Sequence, residues 1–179
     1  EPRSRADLLR LFLDWDNSGW PSWDFYAPVF NAALLGDYPI RAGNLDRRIL
    51  PALHEKGWAA FDDAARRDLE LPAALPDAVG PALRAAIAQA HCNALPETVI
   101  THFAEIQFAR DARMARAMMT DPGSDGALLI TGAEHARRDR AVPWQLRRLK
   151  APGTIVSVAF IGVQPGKNDP AAYDLPYDY

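Results

Sequence analysis

The chain has a single cysteine, Cys92, so it forms no internal disulfide, and no CxxC, CxxCH or paired Cys/His spacing marks a zinc site or a covalently attached haem. No apolar run reaches the roughly 18 residues a spanning helix needs, and no secretory-type pattern opens the chain. Neither sign of charge dominates. Twenty Lys and Arg stand against 23 Asp and Glu, a net charge of −3, without the basic footprint that nucleic acid requires. No glycine-rich phosphate loop follows a candidate strand and no internal repeat is visible, so nucleotide chemistry and repeat architectures have no support. What is present is 179 residues, 49% of them hydrophobic, enough for one domain with a sizeable core. The chain opens on Glu1-Pro2-Arg3-Ser4 without a methionine and runs into a helical pattern within a few residues, as expected of a domain whose upstream portion is missing.

The richest local feature is Trp15 to Pro28, which holds three of the five tryptophans and a tyrosine. Trp23, Tyr26 or Ala27, Phe30 and Leu34 recur at three- and four-residue steps and line one helix face. Such a face is either buried core or a bed for a planar cofactor.

Around this run the periodicity predicts a helix over 5–14, a turn at Asp16-Asn17-Ser18-Gly19, and a second helix opened by Pro21, disturbed at Pro28 and ended near Gly36. Pro39 to Asn44 reads as a first short strand. Two short helices divided at Gly57 fill 46–69, and a proline-marked connector fills 71–80. Helices follow over 81–92 and 96–120, the second long and amphipathic, with Val99, Phe103, Ile106, Met114 and Met118 inward. Ala127 to Thr131, introduced by Pro122-Gly123-Ser124-Asp125-Gly126, reads as a buried strand. A helix follows over 142–150, and the β-branched run from Thr154 to Ile161 gives a third strand. Strands alternating with helices predict an α/β fold with a mostly parallel sheet flanked by helices and an additional helical subdomain. Three strands make a thin sheet, with others expected upstream. The tail 165–179 shows no period and is expected to be loosely held or tied across the surface.

In such folds ligands gather beyond the carboxyl ends of the strands. Asn44 ends the first strand, and Gly132 to Pro143 follows the second. His135 is the leading histidine: it sits just past a strand end behind a glycine, where it can bind metal, move a proton or donate to an anion. The structural alternative is a histidine tied to Asp139 or to a backbone carbonyl. Arg137, Arg138, Arg140, Arg147, Arg148 and Lys150 cluster with only Asp139 opposing them nearby, which suits a carboxylate or phosphate partner or a solvated face. Gln107, Asp111, Met114 and Met118 share one face of the long helix, with an arginine as the simplest partner for Asp111. His91, Cys92 and His102 lack metal-ligand spacing.

Five ordered blocks then carry a resemblance: Trp15 to Pro28 (WxxSGWPxWxxYxP), Asn44-Leu45, His91 to Glu97, Gln107 to Ala115, and Gly132 to Pro143 (GxxHxRxDxxVP). Together they resemble the ChaN-like family of haem-binding bacterial proteins over about residues 10 to 150. This is roughly the C-terminal two-thirds of the family domain, whose N-terminal strands have no match here. Where the family often has Asn-Gly before the histidine, this chain has Ala133-Glu134, which puts a carboxylate beside His135.

The resemblance implies a lipid-anchored protein of the bacterial cell envelope, acting in iron and haem acquisition at the outer membrane. It implies non-covalent haem, sandwiched in a homodimer, with an outer-membrane haem receptor as a further partner and no nucleic acid. Iron would be held by a tyrosine, with Tyr26 the first choice, Tyr38 the second, and Tyr173, Tyr177 and Tyr179 more distant. Trp23 would stack on the ring, and His135, Arg137 and Asn44 would meet its polar edge. Two other readings stand beside it. One is a metal-dependent hydrolase similar to erythromycin esterases and the TraB/TIKI group, using His135. The other is an accessory protein whose arginine patch and aromatic face bind an envelope receptor.

Overall fold

The computed structural model describes residues 5–120, 123, 126–169, 173 and 175–179. The expected turn residues Pro122, Ser124 and Asp125, the opening residues 1–4 and the tail positions 170–172 and 174 lie outside that set. The chain divides into two compact units, one ending at Ala42 and the other beginning at Gly43.

The first unit is a helical hairpin of α1 (Arg5–Phe12) and α2 (Trp23–Leu35), joined through a 3-10 turn, Trp15–Asn17. Ser22, rather than Pro21, opens α2 by accepting from the Asp24 amide. Pro28 lies inside α2, removing one backbone donor without ending the helix. At its C-terminal end the left-handed residue is Asp37, with φ 53°, not Gly36. Gly36 has an ordinary negative φ, and a Cβ there would lie 2.5 Å from the exposed Tyr38 ring, which would have to swing aside.

The aromatic face makes this unit's core. Trp15, Trp23 and Ala6 are buried, with Leu9, Leu13, Tyr26, Ala27, Phe30 and Leu34 packed on them. Trp23 stacks on Phe30 at 5.0 Å between ring centroids, while Trp15 meets Trp23 edge-on at 5.0 Å. The buried Trp15 indole N–H donates to the Pro21 carbonyl, which offsets the cost of taking that polar group out of water.

The second unit is built around a central helix. Helices α3 (Leu50–Lys56), α4 (Asp63–Asp68) and α5 (Gly80–Ala90) precede the 23-residue α6 (Glu97–Met119); the one-turn α7 (Ala133–Ala136) and α8 (Val142–Arg148) follow. Helices α3, α5 and α8 and the 3-10 turn Gly57–Ala60 all pack on α6. Its buried set is therefore wider than one stripe and includes Ile100, Ala104, Phe108, Ala112 and Ala115, while Val99, Phe103 and Met118 are only half-buried. Small alanines let neighbouring helices approach, and Phe108 fills the space between Trp58 and Trp144. Gly57 sits at φ 55°, and a Cβ there would fall 2.0 Å from the Glu105 carboxylate that accepts from the Trp58 amide. That conformation and that clearance both require glycine.

The mostly parallel sheet flanked by helices is not formed: the described residues contain helices and turns and no strand. Segments 39–44, 127–131 and 154–161 have the composition of strands without a ladder to join. Leu129 and Ile155 pack on a second apolar cluster of Met114, Ala115, Val142 and Leu146, whereas Leu128, Ile130, Val156, Val158 and Phe160 face solvent. Alternation of this kind makes a strand only when a neighbour satisfies the backbone N–H and C=O groups. The run 154–161 instead meets the C-terminus: Asp178 and Tyr179 donate their amides to Ser157, and Ala159 donates to Tyr179. No helix among the described residues is long and apolar enough to cross a membrane.

Candidate functional site

The residues singled out in the sequence fall in both units. Trp23 and Tyr26 belong to the aromatic core of the first. Trp23 is buried by its neighbours, while Tyr26 is half-buried against Trp15 and Trp20, at 5.0 and 5.2 Å. Among the described residues the Tyr26 hydroxyl has no hydrogen-bond partner. Tyr38 is exposed. In the second unit, the Asn44 side chain accepts from the adjacent Leu45 amide at 2.8 Å, spending itself on a local turn.

His135 is the centre of a built arrangement. One turn of helix, α7, carries it toward α6, where its Nδ1 lies 2.6 Å from Asp111 Oδ1 and 3.0 Å from Gln107 Nε2. Gln107 and Asp111 are four residues apart, so both project from one face of α6. Asp111 is wholly buried. Burial pushes its carboxyl up to about 6, opposed by the hydrogen bond and charge of His135 and by Arg110 and Arg140. Its second oxygen, Oδ2, is buried without a partner, which adds to the cost of the charged form.

Those two contacts make opposite demands on Nδ1. As a carboxylate Asp111 accepts only, and the 2.6 Å contact is then the length of a charge-assisted bond in which Nδ1 donates. The Gln107 amide, whose oxygen and nitrogen exchange places by a half-turn without change of shape, then offers Oε1 to the same N–H. The partner of His135 is thus Asp111, not Asp139 or a backbone carbonyl, and the hydrogen-bond partner of Asp111 is this histidine rather than an arginine. Among the described residues no three His, Cys, Asp or Glu side chains converge as a metal site.

The arginines are less available than their clustering suggests. Arg137 forms a two-pronged pair with Asp139, at 3.0 and 2.8 Å, which raises the guanidinium pKa further. Arg140, nearly buried, reaches Glu134 at 2.7 Å and Asp139 at 3.5 Å. Arg138 meets Asp178 at 2.6 Å, and Arg148 reaches Gln145 and the Glu70 carbonyl. Glu134 is consequently turned to Arg140, whatever its adjacency to His135 in sequence.

These groups border a groove of about 730 Å³. One wall is the alanine-rich face of α5, with Ala82, Ala85, Ala86 and Ala90; the other carries Gln107, Glu134, Arg137 and Arg140. Leu83, Ile87 and the polar Gln89 complete the α5 wall, which is mostly apolar because four of its seven positions are alanines. Arg140 stood out in the sequence as part of the arginine cluster and Glu134 as the carboxylate beside His135, whereas the Gln107–Asp111–His135 link carried no signal beyond the shared face of 107 and 111.

The C-terminal residues hold this loop in place. Arg138 donates its amide to the Pro176 carbonyl, Tyr177 donates its hydroxyl to Ala133, and Ser157 bonds the Ala136 carbonyl through its hydroxyl. Burial pushes the Tyr177 phenol up, and the Ser157 amide donating to Asp178 holds that carboxyl below its ordinary value. Removing residues 175–179 is expected to raise amide exchange at Arg138 and Ser157 about tenfold, with α6 amides unchanged. Unchanged exchange at those two amides would show that the tail does not secure the loop.

A family model described as haem-binding uptake, Tiki superfamily, ChaN, matches residues 3–146. No curated protein and no solved structure is significantly similar to the chain.

Proposed function

Because the chain belongs to the ChaN haem-binding uptake family of the Tiki superfamily, we propose that its function is to take up haem without a covalent bond and hold it for iron acquisition. The observation that carries this reading is the groove on the second unit. A porphyrin is a flat apolar body with two carboxylates on one edge. The groove pairs a mostly apolar wall of α5 with Arg137 and Arg140, whose planar forks suit carboxylates. Both guanidiniums already hold carboxylates of this chain, Asp139 and Glu134, so the site is shaped for that chemistry and the propionates would exchange for groups that return to water.

For the iron the reading keeps Tyr26 of the first unit, as an assignment that stands apart from the groove on the second unit and rests on the family and on the residue's own chemistry. A phenolate is a hard anionic ligand for ferric iron, and this hydroxyl is not committed to another described residue. Trp23 supports it through the packing of the aromatic core, and Tyr38 is the second choice. Tyr173 and Tyr177 are engaged with backbone groups in the tail. When bound, haem supplies a ferric centre and a strong Soret absorption; the protein contributes binding, orientation and exclusion of water. The lipid anchor, the outer-membrane setting, the receptor and the haem-sandwiching homodimer belong to the same proposal and rest on the family alone.

Titrating hemin into the full chain is expected to give a saturable Soret change with a charge-transfer band of tyrosinate type. Tyr26→Phe should abolish that band and weaken binding. Absence of any saturable change in the wild-type chain would overturn the reading, and an unaltered spectrum in Tyr26→Phe would move the iron ligand elsewhere.

A further inference from the structure

The buried carboxylate of Asp111 is not used by any interaction the haem reading requires. It lies on the central helix and is wholly enclosed, and among the described residues no guanidinium pairs with it. A lone ionisable group in such a place costs stability, and its one strong partner is an imidazole arriving from the single-turn α7 at 2.6 Å. Gln107 closes on the same ring nitrogen from one turn earlier. Two polar groups on one helix therefore converge on one atom of one ring. The imidazole of His135 keeps only partial exposure, 15% of its side-chain surface, and its second nitrogen, Nε2, lies across the ring from that contact.

We propose that Asp111 is a positioning residue for His135, fixing its proton at Nδ1 so that Nε2 alone is presented to a ligand. The ring cannot rotate by a half-turn without placing a carbon against the carboxylate, and it cannot adopt the other tautomer without setting a lone pair against it. Presented in this way, Nε2 has an acceptor lone pair when the ring is neutral. When the ring is protonated, it has an N–H backed by the Asp111 charge, suited to an anionic ligand group. Gln107, half-exposed on the groove wall, ties the same ring to the groove that Arg137 and Arg140 border. The role given to Asp111 is independent of haem, while the ligand for Nε2 rests on the haem reading.

The test begins on the haem-free full chain with nitrogen-15 imidazole spectra, the His135 signals being assigned by their loss in His135→Gln. The wild-type ring is expected as the Nδ1–H form, and Asp111→Asn should abolish that preference while Gln107→Ala leaves it. An Nε2–H ring in the wild type, or an unchanged tautomer in a folded Asp111→Asn, overturns the proposal. The wild-type spectrum decides alone if the variant does not fold. Hemin titration follows. Asp111→Asn and His135→Gln should each weaken binding about tenfold, and the double variant no more than either single one. A wild-type chain that shows the Nδ1–H form and binds no hemin leaves the positioning role standing and removes the haem reading. Hemin affinity lost in His135→Gln but retained in Asp111→Asn removes the positioning role.

Discussion

Replacing Arg137 and Arg140 together by alanine is expected to weaken hemin binding about a hundredfold, measured by Soret titration at fixed ionic strength. Each guanidinium offers a charge-assisted, two-pronged bond to a propionate, and such bonds contribute about 1.5–3 kcal/mol apiece. Stranded charge does not add to the loss. The carboxylates these arginines leave behind are solvated, with Asp139 43% and Glu134 62% exposed in their side chains, so neither becomes a buried unpaired charge. Arg140 is itself nearly buried, so its truncation also loses packing, and affinities are compared at a temperature where circular dichroism shows both proteins folded. The Arg→Lys pair is the companion measurement: lysine keeps the charge but not the fork, and should recover only part of the affinity. Unchanged hemin affinity in the alanine pair would remove the groove from the proposed function.

Phe108→Ala should destabilise the second unit by about 3–5 kcal/mol, read from chemical denaturation. Phe108 is fully buried, its ring centroid 5.5 Å from that of Trp58 and 5.9 Å from that of Trp144, and the Arg148 guanidinium lies 5.9 Å from it. It joins α6 to the 57–60 turn on one side and to α8 on the other, so the cavity would open where three elements meet. Two tryptophans cannot close such a gap without leaving their rotamers, which places the cost at the upper part of the range for aromatic truncation. A destabilisation below about 1 kcal/mol would mean that the elements around α6 collapse onto one another far more readily than their packing implies.

Much of the helical structure was legible along the chain. The apolar spacing in 96–120 is long and regular enough to specify a helix, and α6 spans nearly all of it. The stripe Trp23, Tyr26, Phe30 and Leu34 marks the buried face of α2, because side chains at three- and four-residue steps must share a face wherever the helix lies. That no sheet forms among the described residues was not legible. Leu129 against Leu128, and Ile155 against Val156, show the alternation of a strand, but a ladder is a property of two segments and one sequence window cannot contain it. The arginines mislead for a related reason: their nearest carboxylates in space include Asp178, which lies 40 residues away from Arg138.

His135 drew notice from its own neighbourhood, a glycine before it and cations after it. Its partner did not, since Asp111 lies 24 residues earlier and read most simply as the partner of an arginine. Sequence by itself determined which residues could be helix, which face of each helix was apolar, and, through five ordered blocks, the family. Only the tertiary structure decided that a buried carboxylate meets the histidine, that the arginines are paired, and that alanines on α5 face them across a groove. Periodicity is written in a few consecutive residues, whereas a hydrogen bond, an ion pair or a cavity exists only after distant segments are brought together.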